Sequence, residues 1–271
     1  MKKTVFIIVA VLLAIAFFVS AFMVVSYVKE SKEQERMRNE LAEAMAQAAT
    51  QPTTVATEAA TEPTVEGTEE TTVPTEATEP PMLAEMVPIY ELNDDTVGFI
   101  HIPGTKLENP VLQTPDDPNY YLKHDFDGNY SDWGAIYAWS TADLKEPSDH
   151  ITLFGHNMKD GSMFACLHKY IDKAFWEENQ LIIFNTLNEY HVYKVFAVYK
   201  TAAVEGGFAY HQFVDAANAQ EFDEFVATCK SKAFYDTGIT PVYGDKLISL
   251  STCEYTLGDV GRLVVAAVRI S

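Results

Sequence analysis

Cys253 ends the run Lys246-Leu-Ile-Ser-Leu-Ser-Thr-Cys253, an apolar strand pattern that finishes on a thiol. A thiol at a strand terminus, followed by a loop holding Gly258 and Gly261, is more often open to a cleft than one in mid-strand. As a thiolate it is a strong nucleophile, and it then needs a base or an imidazolium partner. Arg262 opens the next apolar run, Arg262-Leu-Val-Val-Ala-Ala-Val. If the two runs pair as antiparallel neighbours, the guanidinium lies beside the thiol, where its permanent charge and several donors suit a developing oxyanion. A plain surface charge is the other reading of Arg262, and spacing does not choose between them.

The chain has seven histidines: His101, His124, His150, His156, His168, His191 and His211. His168 falls within a helical pattern and His191 at a strand opening, both ordinary structural places. His156 stands just past an apolar strand, in Phe154-Gly-His156-Asn-Met158, the kind of turn-rich loop on which folds display functional groups. Three cysteines leave an odd thiol, and no Cys-x-x-Cys spacing supports a zinc knuckle or a redox pair. Cys229 shares a helix face with Phe222, Phe225 and Val226, so it reads as a core thiol. Cys166 has no charged neighbour that would activate it.

The elements that must hold these groups are mainly strands. Runs at 97–102, 134–139, 150–154, 181–185, 190–199, 247–251 and 263–270 read as strands, with the alternation of 190–199 predicting half-buried antiparallel pairing. Leu187-Asn-Glu189 reads as the turn between two of them. Ser162 is expected to cap a helix carrying Met163, Phe164, Leu167, Tyr170 and Ile171 on one face. A second helix is expected to start near Asp215. Many short strands with helices between them point to a β-barrel or sandwich with helical insertions.

The N-terminal third is different. Lys2 and Lys3 precede an uncharged run from Thr4 to Val28, long enough for a transmembrane anchor over residues 1–28 and longer than the apolar region of a cleaved signal peptide. Lys29, Lys32, Arg36 and Arg38 lie beyond it, so charge does not settle orientation. Residues 29–49 have the composition of a helical stalk. Residues 50–81 form a Thr/Glu/Pro tract expected to be a disordered, self-repelling spacer. The globular composition of 82–271 is assigned to the catalytic domain. A formal net charge of -20 argues against nucleic acid as a partner.

The residues also carry a resemblance. Ile151-Thr-Leu-Phe-Gly-His156-Asn-Met-Lys-Asp-Gly-Ser-Met-Phe164 resembles the histidine loop of sortases, especially class B. Leu250-Ser-Thr-Cys253 resembles the family's TLxTC motif, with Ser249 where that motif usually has Thr. Gly261-Arg262-Leu-Val-Val resembles the strand bearing its arginine. Asp95–Thr105, Asn109–Gln113, Tyr120–Leu122 and Phe126–Gly128 followed by Gly134–Tyr137 resemble the class B framework. The match covers about residues 82–271 in order, including a long helical stretch before the cysteine strand.

That resemblance implies a closed sortase-type β-barrel with peripheral helices, in a membrane-anchored cysteine transpeptidase of the Gram-positive cell envelope. Its catalytic domain would be extracytoplasmic. Cys253 would attack a Thr–Gly or similar bond in the C-terminal sorting signal of a surface protein. His156 would move the proton, and Arg262 would steady the oxyanion. Ser251, Thr252 and Glu254 would flank the substrate groove. The acyl group would pass to a peptidoglycan precursor or cross-bridge amine, with no cofactor or metal. Pilin polymerisation, hydrolysis by water and a non-enzymatic membrane-tethered adaptor are the competing readings.

Overall fold

Seven apolar runs fold as strands close to the positions their alternation predicts, and an eighth joins them. In chain order they are β1 (Thr96–His101), β2 (Glu108–Leu112), β3 (Ile136–Ala138), β4 (His150–Phe154), β5 (Leu181–Thr186), β6 (Val192–Ala202), β7 (Leu247–Cys253) and β8 (Gly261–Arg269). This architecture comes from a computed structural model, which describes residues 2–50, 80–204 and 206–271. β2 holds Pro110, which weakens a strand reading from propensity. Only β1 pairs at that residue, because β3 takes up pairing from Val111 onward.

The strands are hydrogen-bonded in the order β1-β2-β3-β4-β7-β8-β6-β5, and β5 pairs back onto β1, so the sheet closes as a barrel. Two pairings decide where function can sit. β4 and β7 are parallel, with Phe154 level with Ser251. β7 and β8 are antiparallel, with Cys253 opposite Arg262. The C-terminal ends of β4 and β7 and the N-terminal end of β8 therefore emerge at one rim.

Helices cover the outside. Asn218, not Asp215, caps α4 (Ala219–Lys232), its side chain accepting from the Glu221 N–H. Asp215 instead accepts from the Asp149 N–H at 2.9 Å. The expected face of Phe222, Phe225, Val226 and Cys229 packs with Tyr199, Leu247, Val264 and Ala266 in one apolar cluster. That cover corrects the half-buried reading of β6, whose Phe196, Ala197, Val198 and Tyr199 are all buried. The segment after Ser162 is also corrected. It is a 3₁₀ helix, Phe164–Ile171, and Ser162 bonds to Asp160 rather than capping it. At three residues per turn Phe164, Leu167 and Tyr170 align and are fully buried, while Ile171 turns to solvent. Two short α-helices also occur, α2 (Val87–Leu92) and α3 (Lys173–Glu178).

The serine at 249 has a partner in β4. His150 is buried; its Nδ1–H donates to the Phe213 carbonyl at 2.8 Å, and the Ser249 hydroxyl donates to its Nε2, also at 2.8 Å. Burial pushes the His150 pKa down to about 4, with the Phe213 carbonyl opposing weakly. The folded state thus holds this ring neutral, while the unfolded chain binds a proton at ordinary histidine pKa. The resulting stability is present above pH ~6.5 and is lost between there and ~4, a window worth about 3 kcal/mol. Urea midpoints at neutral and acid pH should record that loss. His150→Phe should flatten the acid limb, and an equal slope in both proteins would disprove the assignment.

The N-terminal unit is one helix, α1 (Lys2–Thr50), which runs through residue 28 without a break. A window of it reaches a mean hydropathy of 3.1, and by length and composition it is a candidate membrane span. The spacer assigned to 50–81 falls almost wholly outside the described residues.

Candidate active site

The rim where β4, β7 and β8 emerge opens into a cavity of about 400 Å³, and His156, Cys253 and Arg262 all line it. Each is placed by its strand. Cys253 is the last residue of β7 and is partly exposed, whereas Cys166 and Cys229 are buried. Burial raises the thiol pKa of Cys166 to about 11 and that of Cys229 to about 12, so neither forms thiolate near neutrality.

Arg262 sits directly across from Cys253 because β7 and β8 approach closely at Gly261. The Glu254 N–H donates to the Gly261 carbonyl at 3.0 Å, and a Cβ on Gly261 would stand only 1.9 Å from the Glu254 carbonyl oxygen. Only glycine fits. Gly261→Ala must push the strand ends apart and shift Arg262 against Cys253. We expect kcat to fall by tenfold or more, roughly, since sub-ångström misplacement is costly in catalysis. The KM should change little in steady-state kinetics, and unaltered kcat would refute this role for the glycine.

His156 lies two residues beyond β4. Its Nε2 is 2.8 Å from the Leu122 carbonyl, which can only accept, so Nε2 carries a proton. The neutral ring then has its free lone pair on Nδ1. Leu122 ends a 3₁₀ turn, Tyr120–Leu122, against which the backbone of Gly134 closes. A Cβ on Gly134 would meet the Tyr121 carbonyl at 2.5 Å, and its φ of +56° also suits glycine. The histidine loop is tied by the Phe164 N–H donating to the His156 carbonyl at 2.9 Å and by a bridge between Asn157 and Met163. Met163 takes φ +52°, the one positive φ among the described non-glycine residues.

Of the flanking residues expected at the groove, Ser251 and Thr252 line the cavity and Glu254 does not. The Ser251 hydroxyl is hydrogen-bonded to the Tyr210 hydroxyl at 2.6 Å. Glu254 is buried and its carboxylate pairs with Lys200 at 2.9 Å. Burial raises its pKa, but the hydrogen bonds from Thr256 and Lys200 outweigh that and bring it down to about 2. Glu254 is thus engaged in holding the turn after Cys253.

One side of the wall is aromatic, and Ala202, Ala203 and Val204 add aliphatic surface. Tyr137, Trp139, Phe154 and His211 form the aromatic side, with the Trp139 and His211 rings 4.8 Å apart edge to face. Burial raises Tyr137 to about 12 and also raises Tyr210, so both keep their hydroxyl protons. Burial and the Arg262 charge lower the pKa of His211. The cavity thus offers a thiol, a fixed cation and the imidazoles of His156 and His211 in a largely apolar cleft. Such a set serves acyl transfer through a thioester. Tyr210, His211, the Leu122 carbonyl and His168 carry no local signal in the sequence, because each reaches the site from a distant segment.

Comparison with known proteins agrees with this chemistry. The family model for the sortase domain matches residues 100–270. Sortase B of Listeria monocytogenes is 31% identical over 183 residues, covering 67% of this chain and 72% of the relative. A Staphylococcus aureus sortase B–substrate complex shares the fold with a TM-score of 0.70 at 24% identity, over 89% of this chain and 98% of that one. A sortase B structure complexed with triglycine matches with a TM-score of 0.63 at 29% identity, over 69% of this chain and 86% of that one. The protein belongs to the sortase family of cysteine transpeptidases.

Proposed function

We propose that this sortase cleaves the C-terminal sorting signal of surface proteins with Cys253 as nucleophile, His156 as proton carrier and Arg262 as oxyanion donor. The barrel and its helices serve as the sortase-type scaffold, and α1 as a membrane anchor that leaves residues 82–271 on the outer face. The observation that carries the reading is the pairing of Cys253 with Arg262 across β7 and β8, at the cavity that His156 also lines.

Cys253 passes its thiol proton to Nδ1 of His156, giving an imidazolium. The thiolate adds to the scissile carbonyl carbon, and the carbonyl oxygen gains the negative charge that the Arg262 guanidinium meets. Collapse breaks the C–N bond. His156 gives a proton from Nδ1 to the departing amine, since Nε2–H is committed to Leu122. The thioester then waits for an amine from the cell wall. Attack by that amine breaks the C–S bond, Nδ1 takes the amine's proton, and the Cys253 thiolate is restored. The sortase B complexes with a substrate and with triglycine support a peptide donor and an amine acceptor.

The test is a peptide-library cleavage assay on the catalytic domain within the full chain, run with and without triglycine. Ligated product that depends on added triglycine is the expected result. Cleavage with no amine ever entering the product would replace transpeptidation by hydrolysis.

A further inference from the structure

His168 touches both halves of the site without lining the cavity. It stands half-buried on the 3₁₀ helix Phe164–Ile171, which Phe164, Leu167 and Tyr170 seat firmly in the core. Its Nε2 lies 3.1 Å from the Cys253 carbonyl oxygen and 3.0 Å from the Asn157 side-chain amide. The Cys253 carbonyl can only accept, so Nε2 carries a proton and donates. The Asn157 atom facing Nε2 is recorded as Nδ2. Because Nε2–H already donates to the Cys253 carbonyl, we assign that amide the opposite way round, so that Oδ1 shares the same N–H. Asn157 adjoins His156 and is the residue bridged to Met163. One imidazole N–H therefore links the main chain of the nucleophile to the loop of the proton carrier.

We propose that His168 is a positioning residue of this transpeptidase, its Nε2–H clamping the Cys253 carbonyl and Asn157 together and so setting the distance between Cys253 and His156. The inference rests on the functional reading above. β4 and β7 hold the two strand ends level, but His156 lies beyond the last ladder pair. Backbone bonds tie the loop to Ser251 through the Gly155 N–H and to the 3₁₀ helix through the Phe164 N–H. The His168 N–H adds a link from that loop to the Cys253 main chain without touching substrate. A loss of this clamp should act on the chemical step and spare binding.

The experiment uses the full chain and three variants, His168→Leu, His168→Gln and Cys253→Ala. Two probes are applied: a cleaved peptide from the library assay with triglycine, and iodoacetamide at neutral pH. In His168→Leu, kcat should fall about tenfold with KM within about twofold. Iodoacetamide should label Cys253 more slowly in the same variant, because the thiol loses its imidazole partner. His168→Gln keeps an N–H donor at similar reach and should recover most of both rates. Wild-type kcat and labelling in His168→Leu would overturn the proposal, as would a His168→Gln protein as impaired as His168→Leu. Failure of His168→Leu to fold leaves the decision to His168→Gln alone, where near-wild-type rates support the clamp and a tenfold loss refutes it. Wild-type turnover that Cys253→Ala abolishes controls for the reading beneath. Its absence sinks that reading, whereas its presence beside an unaffected His168→Leu sinks only the clamp.

Discussion

Cys253→Ala is expected to reduce peptide cleavage and transfer to background, a loss on the order of 10⁴-fold or more, as for removal of the nucleophile in other covalent enzymes. The size follows from the path. Without sulfur no thioester forms, and nothing else lining the cavity offers a nucleophile of comparable strength at neutral pH. Tyr137 and Tyr210 keep their protons, and Ser251 is bonded to Tyr210. Labelling separates this from a folding defect. Native wild-type protein should take one alkyl group, at Cys253, because Cys166 and Cys229 are buried with raised pKa values. Cys253→Ala should take none while melting at the wild-type temperature. Turnover surviving in that variant would remove Cys253 from the mechanism.

The second large effect is at Arg262. Arg262→Ala should lower kcat by about 10²–10³, the range for losing one donor to a developing oxyanion, with KM nearly unchanged. The resting guanidinium donates through Nη1 to the carbonyls of Gly261 at 2.8 Å and Asp259 at 3.1 Å. Its own turn thus holds it in place before substrate arrives, and a preorganised charge needs little rearrangement as the tetrahedral intermediate forms. Arg262→Lys keeps the charge but not the planar array of donors, and should recover only part of the loss. A peptide product assay reads both. If Arg262→Ala retained kcat within about threefold, the residue would be a strand charge and no more.

Some of this site is legible in short stretches of chain. β4 and β7 show as apolar runs, and the loop after one and the thiol ending the other are visible without a fold. Antiparallel pairing of β7 and β8 around Gly261 follows from their closeness in sequence. The helical spacing of Phe222, Phe225, Val226 and Cys229 removes Cys229 from the candidates, as its burial bears out. The segment after Ser162 departs from its α-helical reading because the spacing of three at Phe164, Leu167 and Tyr170 suits a 3₁₀ turn, whereas an α-helix would draw Ile171 into the same face.

What the sequence by itself determined are most of the strands, the buried face of α4 and the nucleophile's place at a strand end. These depend on neighbours within a few residues, where periodicity and backbone preference act. Only the tertiary structure decided which distant groups meet. Parallel pairing of β4 with β7 brings His156 to the rim beside Cys253 across a long crossover, and no local pattern encodes which parallel partner a strand takes. The same holds for the Leu122 carbonyl that assigns the His156 tautomer and for Lys200, which draws Glu254 into a buried pair. It holds as well for His168, whose helical setting reads as ordinary until the Cys253 carbonyl is found against its ring. Hydrogen bonds and charge pairs of this kind are short-ranged in space and indifferent to separation along the chain, so closure of the barrel had to create them.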